Sequence, residues 1–256
     1  MEKLMRIHIE KTNELLGIAA AECIAKELNE AIALRGEANY LVSTGASQFT
    51  TFQALVARKD IDWTKVTMYH LDEYVDLPES HIASFRKYLK ERFADLVPLK
   101  RAVYVNGEGD VEKHLQELEE EFSKIVIDVG AIGIGENAHI AFNDPPAQLD
   151  KECAYHVVDL NQTCKQQQVN EGWFATLDDV PVQAISMTPK QIMRCRKIVS
   201  VVPGDRKADA IYKTLTSDHV DPMVPATLLV THPCIDLFID EGSAALCDEK
   251  LLKSFD

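Results

Sequence analysis

The hydrophobic positions of this 256-residue chain follow two alternating periodicities. Residues 13–34 carry apolar side chains three and four positions apart, which predicts a helix with one apolar face. The short apolar run 40–42 is typical of a buried strand, and residues 66–71 predict the next strand. The same reasoning predicts further helices near Thr50 and at 84–93, 111–122, 189–195, 206–215, 226–230 and the C-terminus, and further strands at 102–105, 125–134, 183–187, 197–202 and 235–239.

The alternation of strands and helices predicts the fold class. It is typical of an α/β, doubly wound, Rossmann-like domain with a mostly parallel sheet and helices on both faces. Because α/β domains can reach roughly 250 residues, one domain over residues 1–256 is expected. Residues 143–181 are rich in Asp, Gln and Pro and are predicted to be an irregular excursion from it. Sites in such sheets lie beyond the carboxyl ends of the strands, so functional residues are expected there.

Small residues follow the first predicted strand. Ser43, Thr44, Gly45, Ala46 and Ser47 stand between this strand and the next helix, where backbone N–H groups and the helix N-terminus can bind an anion. The segment therefore predicts a phosphate-binding loop, and the alternative is a plain turn with Ser47 as the helix cap. A nucleotide P-loop is not supported, because no Gly-Lys-Ser/Thr sequence follows.

Two adjacent carboxylates, Asp72 and Glu73, come directly after the strand predicted at 66–71. A carboxyl group among apolar neighbours resists ionisation, so its pKa rises and it can act as a base near neutral pH. The alternative is a solvated acidic loop, which is common at strand ends.

A glycine-containing segment follows the long apolar strand in the middle of the chain. Gly133, Gly135 and Ala138 match the G-x-G-x-x-A pattern of dinucleotide-binding loops, which opens a long helix. Pro145-Pro146 would stop such a helix after about two turns, so a dinucleotide site is disfavoured.

The same loop presents His139 between Asn137 and Asp144. A neutral imidazole, whose pKa is roughly 6.5, can transfer protons at physiological pH when an amide or a carboxylate fixes its tautomer. The alternative is a buried structural histidine. No metal site is predicted, because no third ligand stands nearby at a suitable spacing.

The chain is acidic, with 27 Lys and Arg against 41 Asp and Glu and a net charge of −14. This balance disfavours nucleic acid and anionic membrane surfaces as partners, because both are bound through clustered cations. It still permits one small dianion. Lys207, near the start of a predicted helix, could close over a phosphate held by residues 43–47, and the alternative is an ordinary surface charge.

The six cysteines are scattered, and neither a signal peptide nor a membrane-length apolar run is present in the sequence. These features predict a cytoplasmic protein with reduced, mostly buried thiols.

These segments together resemble the glucosamine-6-phosphate deaminase (isomerase) family, within the wider group that includes the 6-phosphogluconolactonases. The resemblance runs in order over nearly the whole chain, through Ser43-Thr44-Gly45, Leu71-Asp72-Glu73-Tyr74, Gly133-x-Gly135, His139-Ile140-Ala141-Phe142-Asn143, Lys207 and residues 225–232. The LDEY and HIAFN sequences are specific in combination and favour the deaminases over the lactonases.

The resemblance implies a reaction and its catalytic residues. An amino sugar phosphate would become a ketose 6-phosphate and ammonia, without a metal or an organic cofactor. His139 would open the sugar ring, assisted from the positions of Asn137 and Asp144. Asp72 would move a proton between C1 and C2 of the open chain.

The resemblance also implies the binding residues. Residues 43–47 and Lys207 would hold the 6-phosphate, and Glu73 would contribute to substrate binding. An amino sugar phosphate is the expected partner, and self-association into a homo-oligomer is left open. Residues 148–168 do not match the basic allosteric site of regulated members, so regulation by an acetylated sugar phosphate is not predicted.

Two departures from the family pattern keep other functions open. The better-known deaminases have Asp and Gly where this chain has Asn137 and Ala138, and Glu where it has Asp144. Because Asn137 is not a carboxylate, a catalytically silent sugar-phosphate sensor is one alternative. A 6-phosphogluconolactonase-type hydrolase with His139 as its base is another. The sugar epimer, glucosamine or galactosamine, also stays open.

Overall fold

The computed structural model describes residues 5–255 and builds the chain around a sheet of parallel strands. The strands among these residues are β1 (Met5–Glu10), β2 (Ala38–Val42), β3 (Val66–His70), β4 (Asp72–Tyr74), β5 (Arg101–Ala102), β6 (Val129–Ile132), β7 (Tyr155–Asp159), β8 (Gln183–Met187), β9 (Lys197–Val202) and β10 (Ile235–Asp240). Seven of them pair in the order β1-β10-β9-β6-β2-β3-β5, and every pairing is parallel. All residues of β6 and β9 are buried, as a sheet covered on both faces requires.

Helices connect the strands, and several begin and end where the sequence provides caps. Those among residues 5–255 are α1 (Asn13–Arg35), α2 (Phe49–Ala57), α3 (Phe85–Leu89), α4 (Val111–Phe122), α5 (Gln162–Asn170), α6 (Pro189–Ile192), α7 (Ala208–Thr216) and α8 (Glu249–Leu252). The Thr12 hydroxyl caps the N-terminus of α1, and Gly36 ends it with a φ of 82°. α3 continues into a turn of π-helix over Lys90–Ala94.

Alternate residues of the central strands pack into separate apolar clusters on the two faces of the sheet. Leu41 of β2 belongs to one cluster, and its neighbours Tyr40 and Val42 belong to the other. Residues of α4 and α7 contribute to the first cluster, and residues of α1, α2 and α3 contribute to the second. The predicted α/β fold with helices on both faces is therefore confirmed.

The prediction that residues 143–181 form an irregular excursion was wrong. They contain β7 and α5, and β7 joins β8 and β4 in a second, antiparallel sheet of three strands. β8 accordingly lies outside the main sheet. α5 escaped prediction because only Cys164 and Val169 are apolar in its sequence, so it shows no apolar periodicity. The edge strand β1 was also missed, although the alternation of its apolar residues Met5, Ile7 and Ile9 with polar residues has the two-residue period of a strand.

Other predictions moved at their boundaries. The strand expected at 102–105 is the two-residue β5, the helix expected at 189–195 is the single turn α6, and the helix expected near 226–230 is a 3-10 helix over Pro225–Thr231.

All six cysteines are free thiols, but only Cys164 and Cys195 are buried, so the prediction of mostly buried thiols was wrong. No helix in the described part of the chain is both long and apolar enough to span a membrane.

Gly17 lies where α1 packs against α2, and a Cβ added there would come within 2.4–2.6 Å of Thr50 atoms. We expect Gly17→Ala to lower the free energy of unfolding by roughly 1–3 kcal/mol, because overpacking outweighs the better helix propensity of alanine. Urea denaturation measures this change. Replacing the exposed neighbour, Ile18→Ala, should alter stability by less than about 0.5 kcal/mol, and equal effects of the two substitutions would contradict the packing argument.

Candidate active site

A cavity of about 790 Å³ opens at the carboxyl ends of β2, β6 and β9, where the sequence predicted functional residues. Residues 43–47 line it after β2, residues 133–136 and His139 after β6, and residues 203–207 after β9. Asp72 of β4 enters from the small sheet. One side of the wall comes from α5 and the turn that follows it, and another comes from α3 and its neighbours. The segment predicted to be irregular therefore contributes one side of the cavity.

The loop 43–47 is held in place by its neighbours. Gly45 has a φ of 103°, which residues with a Cβ rarely adopt. The Tyr88 hydroxyl donates to the Gly45 carbonyl oxygen at 2.7 Å, and the Ser43 amide donates to the Ala131 carbonyl oxygen at 3.0 Å. The Ser43 hydroxyl is buried and has no hydrogen-bond partner among the described residues. It is thus available to an anion in the cavity.

A second turn of similar design follows β9. Gly204 has a φ of 94° and leads through the 3-10 turn Asp205–Lys207 into α7, just as Gly45 leads through Ala46–Gln48 into α2. The Gly204 amide donates to both carboxylate oxygens of Asp240, at 3.0 Å each. The two turns face the same cavity.

Lys207 lies in the wall of the cavity that also contains the loop 43–47, as the sequence predicted. Burial lowers the pKa of its ammonium group, and the negative charges of Glu136 and Glu171 oppose that shift. A bound phosphate dianion would likewise favour the charged form of Lys207.

Asp72 presents a buried carboxyl group to the cavity. Its residue is 6% exposed, and its Oδ1 atom has no hydrogen-bond partner within the described chain. Burial and then the charge of Glu73 raise the pKa of Asp72 well above its usual value. A carboxyl group of this kind exchanges its proton closer to neutral pH, which is what a general acid–base group requires.

Glu73 is not placed to contact a substrate, which corrects its predicted binding role. Its side chain is fully buried and does not line the cavity. The carboxylate accepts hydrogen bonds from the Ser84 hydroxyl at 2.9 Å and from the backbone amides of Phe85 and Arg86 at 3.1 and 3.0 Å, and it forms an ion pair with the Arg86 guanidinium. Glu73 therefore fixes the start of α3 against β4.

A left-handed backbone presents His139 to the cavity. Ala138 and Ala141 have φ values of 65° and 51°, each costing on the order of 1–3 kcal/mol for a residue with a Cβ. A Cβ at Gly135 would lie within 2.2–2.5 Å of the His139 ring. Position 135 must therefore be a glycine, because any side chain there would collide with the imidazole. This accounts for Gly135 in the G-x-G-x-x-A pattern without a dinucleotide.

Asn137 and Asp144 both contact one nitrogen of the His139 ring. Its Nδ1 lies 2.6 Å from the Asn137 side-chain oxygen and 3.1 Å from Asp144 Oδ1, and the Asn137 amide donates to the same Asp144 oxygen at 2.9 Å. Two acceptors at Nδ1 assign the proton to that nitrogen and leave Nε2 as the base.

The charge of Asp144 is stabilised by these contacts. Burial alone would raise the pKa of Asp144, but the hydrogen bond and the charge of His139, with the Asn137 amide, outweigh it and lower the pKa. Asp144 is shorter than the glutamate of the better-known deaminases, but its carboxylate still contacts the imidazole directly, at 3.1 Å.

Asn143 locks this turn and was not among the predicted site residues. Its amide nitrogen donates to the carbonyl oxygens of Ile140 and Met187, each at 2.8 Å, and its oxygen lies 3.0 Å from Nε2 of His156. Burial lowers the pKa of His156 to about 4, so this histidine is neutral at pH 7. Ser186, which bonds the same amide at 3.1 Å, is paired with Asp72 across the small sheet.

Sequence reasoning also missed several other residues of the wall: Asn13, Phe49, Tyr88, Arg92, Phe142, Gln168, Glu171, Trp173, Arg206 and Asp240. Arg206 and Asp240 follow or end strands, so the strand-end rule could have found them. Phe142 lies three residues after His139 in the loop that follows β6. The others come from helices or from the turn after α5. Across residues 5–255, no group of three or more His, Cys, Asp or Glu side chains is arranged to hold a metal ion.

The parallel sheet, the two glycine turns and the acid–base groups define a class of protein: α/β enzymes that transfer protons on a small anionic molecule. The chain belongs to the family of glucosamine-6-phosphate isomerases and 6-phosphogluconolactonases, whose model matches residues 11–236. The resemblance drawn from the motifs is thereby confirmed.

Individual relatives agree with this membership. A glucosamine-6-phosphate deaminase from Streptococcus thermophilus is 35% identical over 223 residues, which cover 87% of this chain and 93% of the relative. The solved structure of a monomeric glucosamine-6-phosphate deaminase has a TM-score of 0.86 and 27% identity over 94% of this chain and 100% of that one. A 6-phosphogluconolactonase from Shewanella baltica shares the fold, with a TM-score of 0.75 and 22% identity over 93% and 98% of the two chains.

The raised pKa of Asp72 makes its charge destabilising, so Asp72→Asn should stabilise the protein at pH 7. As pH rises above roughly 4, the unfolded state loses this proton before the native state does, and the native state loses stability. The asparagine variant avoids that loss. Its advantage should therefore grow with pH and vanish below about pH 4.

Thermal denaturation between pH 3.5 and 8 measures the effect, since about 1 kcal/mol shifts Tm by roughly 2–4 °C in a chain of this size. Asp144→Asn is the matched control with the opposite sign. Its pKa is lowered in the native state, so its charge stabilises the fold at pH 7 and the contribution disappears as the pH falls. A stabilisation of Asp72→Asn that is independent of pH would contradict the assignment.

Asn143→Ala should destabilise the protein and misplace His139. His156 loses its acceptor at a cost of about 1–3 kcal/mol, and the Ile140 and Met187 carbonyl oxygens each lose the side-chain donor at a cost of about 1 kcal/mol. Each carbonyl keeps a longer hydrogen bond, from the Asn143 backbone amide at 3.2 Å and from the Ser186 hydroxyl at 3.3 Å. We expect the free energy of unfolding to fall by about 3 kcal/mol and kcat to fall at least roughly tenfold, with a smaller change in KM. Urea denaturation and steady-state kinetics measure both, with half-buried Asn29→Ala on α1 as the control.

Proposed function

We propose that this chain converts glucosamine 6-phosphate, or an epimer such as galactosamine 6-phosphate, to the ketose 6-phosphate and ammonia. The observation that carries the proposal is the presence, in one cavity, of a buried carboxyl group with no hydrogen-bond partner at Oδ1, an oriented imidazole and a glycine-containing loop suited to an anion: Asp72, His139 and residues 43–47. The 35% identity to the deaminase of Streptococcus thermophilus supports the same reaction.

Ring opening is assigned to His139. With its proton on Nδ1, the ring accepts the proton of the anomeric hydroxyl at Nε2 and returns a proton to the ring oxygen as the C1–O5 bond breaks. The imidazolium formed on the way is stabilised by the Asp144 carboxylate, 3.1 Å from Nδ1. Asn137 orients the pair. No net proton is consumed.

Proton transfer along the open chain is assigned to Asp72. The amine enters as its ammonium form. The carboxylate removes the proton from C2, the C2–H electrons form the C1–C2 double bond, and the C1 carbonyl oxygen takes a proton from the ammonium group, which gives an enolamine with a hydroxyl at C1. The protonated Asp72 then returns its proton to C1. This leaves an iminium at C2, to which water adds before ammonia departs. The substrate's own carbonyl and iminium groups accept the electrons, and the overall change is amino sugar phosphate plus water to ketose phosphate plus ammonia.

Binding is assigned to the two glycine turns. Residues 43–47 and Lys207 line the same cavity, and we assign one phosphate to the backbone N–H groups and hydroxyls of residues 43–47 together with the Lys207 ammonium. The cysteines are free thiols, which is typical of reducing compartments, so we also propose a cytoplasmic location. Self-association stays a prediction.

Asp144 bears on the sensor alternative. A silent sensor was considered because Asn137 cannot supply a charge to His139. Asp144 contacts the same ring nitrogen, so a carboxylate partner is present without Asn137. This favours catalysis over sensing.

A coupled ammonia assay over a panel of hexosamine 6-phosphates tests the proposal. We expect release of ammonia from at least one epimer, and Asp72→Asn should reduce kcat by about 10³-fold or more while a sugar phosphate still binds. His139→Gln should slow turnover of the ring form more than that of a freshly opened chain. Release of acid from 6-phosphogluconolactone without any ammonia from the panel would instead identify a lactonase, and binding without turnover would identify a sensor.

A further inference from the structure

The wall of the cavity contains more acids than bases. Its acidic residues are Asp72, Glu136, Glu171, Asp205 and Asp240, and its basic residues are Arg92, Arg206 and Lys207. A phosphate dianion entering such a site needs cations that are not already paired.

Only two of the three cations meet that condition in the described chain. Arg206 lies 3.9 Å from Glu136, within ion-pair distance. Neither Lys207 nor Arg92 forms an ion pair or a side-chain hydrogen bond with any residue between 5 and 255. Lys207 is already assigned to the phosphate. Arg92 is therefore the one further unpaired cation in the described part of the wall.

Arg92 rests on the two aromatic rings that flank the phosphate loop. Its guanidinium lies 4.0 Å from the centre of the Phe49 ring and 5.5 Å from that of Tyr88, and the two rings stack at 5.7 Å. Phe49 is the first residue of α2, which follows the loop directly, and Tyr88 hydrogen-bonds the Gly45 carbonyl oxygen at 2.7 Å. The stack therefore places a cation beside the loop 43–47.

The local backbone favours this placement. Arg92 lies in the π-helical turn Lys90–Ala94 that extends α3, and π-helical turns are frequent at functional sites. The side chain is exposed, so it can turn towards a ligand without breaking a buried contact.

We propose that Arg92 is a second ligand of the substrate phosphate and closes on it from the α3 side, while Lys207 holds it from the β9 side. The proposal rests on the proposed function, because it assumes that the phosphate of an amino sugar phosphate lies in the loop 43–47. Arginine suits the role, since its planar guanidinium can bind two phosphate oxygens at once and keep its stacking on an aromatic ring.

Binding of two unreactive probes, inorganic phosphate and glucitol 6-phosphate, tests the proposal by calorimetry on the whole protein. Glucitol 6-phosphate has no carbonyl group and is not deaminated. We expect Arg92→Gln to weaken both probes by roughly tenfold or more and Arg92→Lys to recover part of the loss. The matched control is Arg58→Gln, which removes the same charge at the other end of α2, where Arg58 pairs with Asp60.

Kinetics separate a lost phosphate contact from a damaged loop. With glucosamine 6-phosphate, Arg92→Gln should raise KM by a similar factor with little change in kcat or Tm, because the contact is made equally in the ground and transition states. Affinity for unphosphorylated glucosamine should not change. A fall in kcat and Tm together would assign Arg92 to loop structure and overturn the proposal.

Two further outcomes also overturn it. In the first, Arg92→Gln binds the probes as tightly as the wild type does, so that Arg92 is a surface charge only. In the second, the wild type binds neither probe. The proposed function fails separately, through absence of ammonia release by the wild type, so the two results are distinguishable.

Discussion

One buried side chain, the amide of Asn143, joins the parts of the site that must keep fixed distances. It holds the left-handed turn around His139 to β8, and Ser186 of β8 pairs with Asp72 across the small sheet. Two alanines with positive φ persist only where surrounding contacts fix them. The imidazole and the carboxyl group therefore share one rigid support, although His139 lies in the loop after β6 and Asp72 lies in β4.

The two-residue period of β4 assigns opposite tasks to two adjacent acids. Asp72 faces the cavity, and its Oδ1 atom has no hydrogen-bond partner in the described chain. Burial therefore raises the pKa of its carboxyl group. Glu73 faces the interior and is bound by amides and by Arg86, so its charge is matched. Because neighbouring side chains of a strand point to opposite faces, a single dipeptide supplies both a reactive group and a structural anchor.

Electrostatics in this acidic protein are local. The net charge of −14 disfavours polyanionic partners, yet a phosphate site needs only a few donors at one point. In the proposed phosphate site, two turns of the same design would supply those donors, and each turn depends on a glycine with positive φ, Gly45 or Gly204. The acids in the same wall limit how many cations remain unpaired, which makes each unpaired cation important.

The sequence by itself determined the α/β class, the strand ends that carry the site, and the residues 43–47, Asp72, His139 and Lys207 that line one cavity. It could do so because apolar periodicity and strand-end position are local properties of a chain. Only the tertiary structure decided that Glu73 points into the interior and that a polar segment forms α5. Neither result could be predicted from the pattern of apolar residues along the chain. Contacts between distant residues, such as Asn143 with His156 or Arg92 with Phe49, depend on packing, and the sequence pattern carries no record of them.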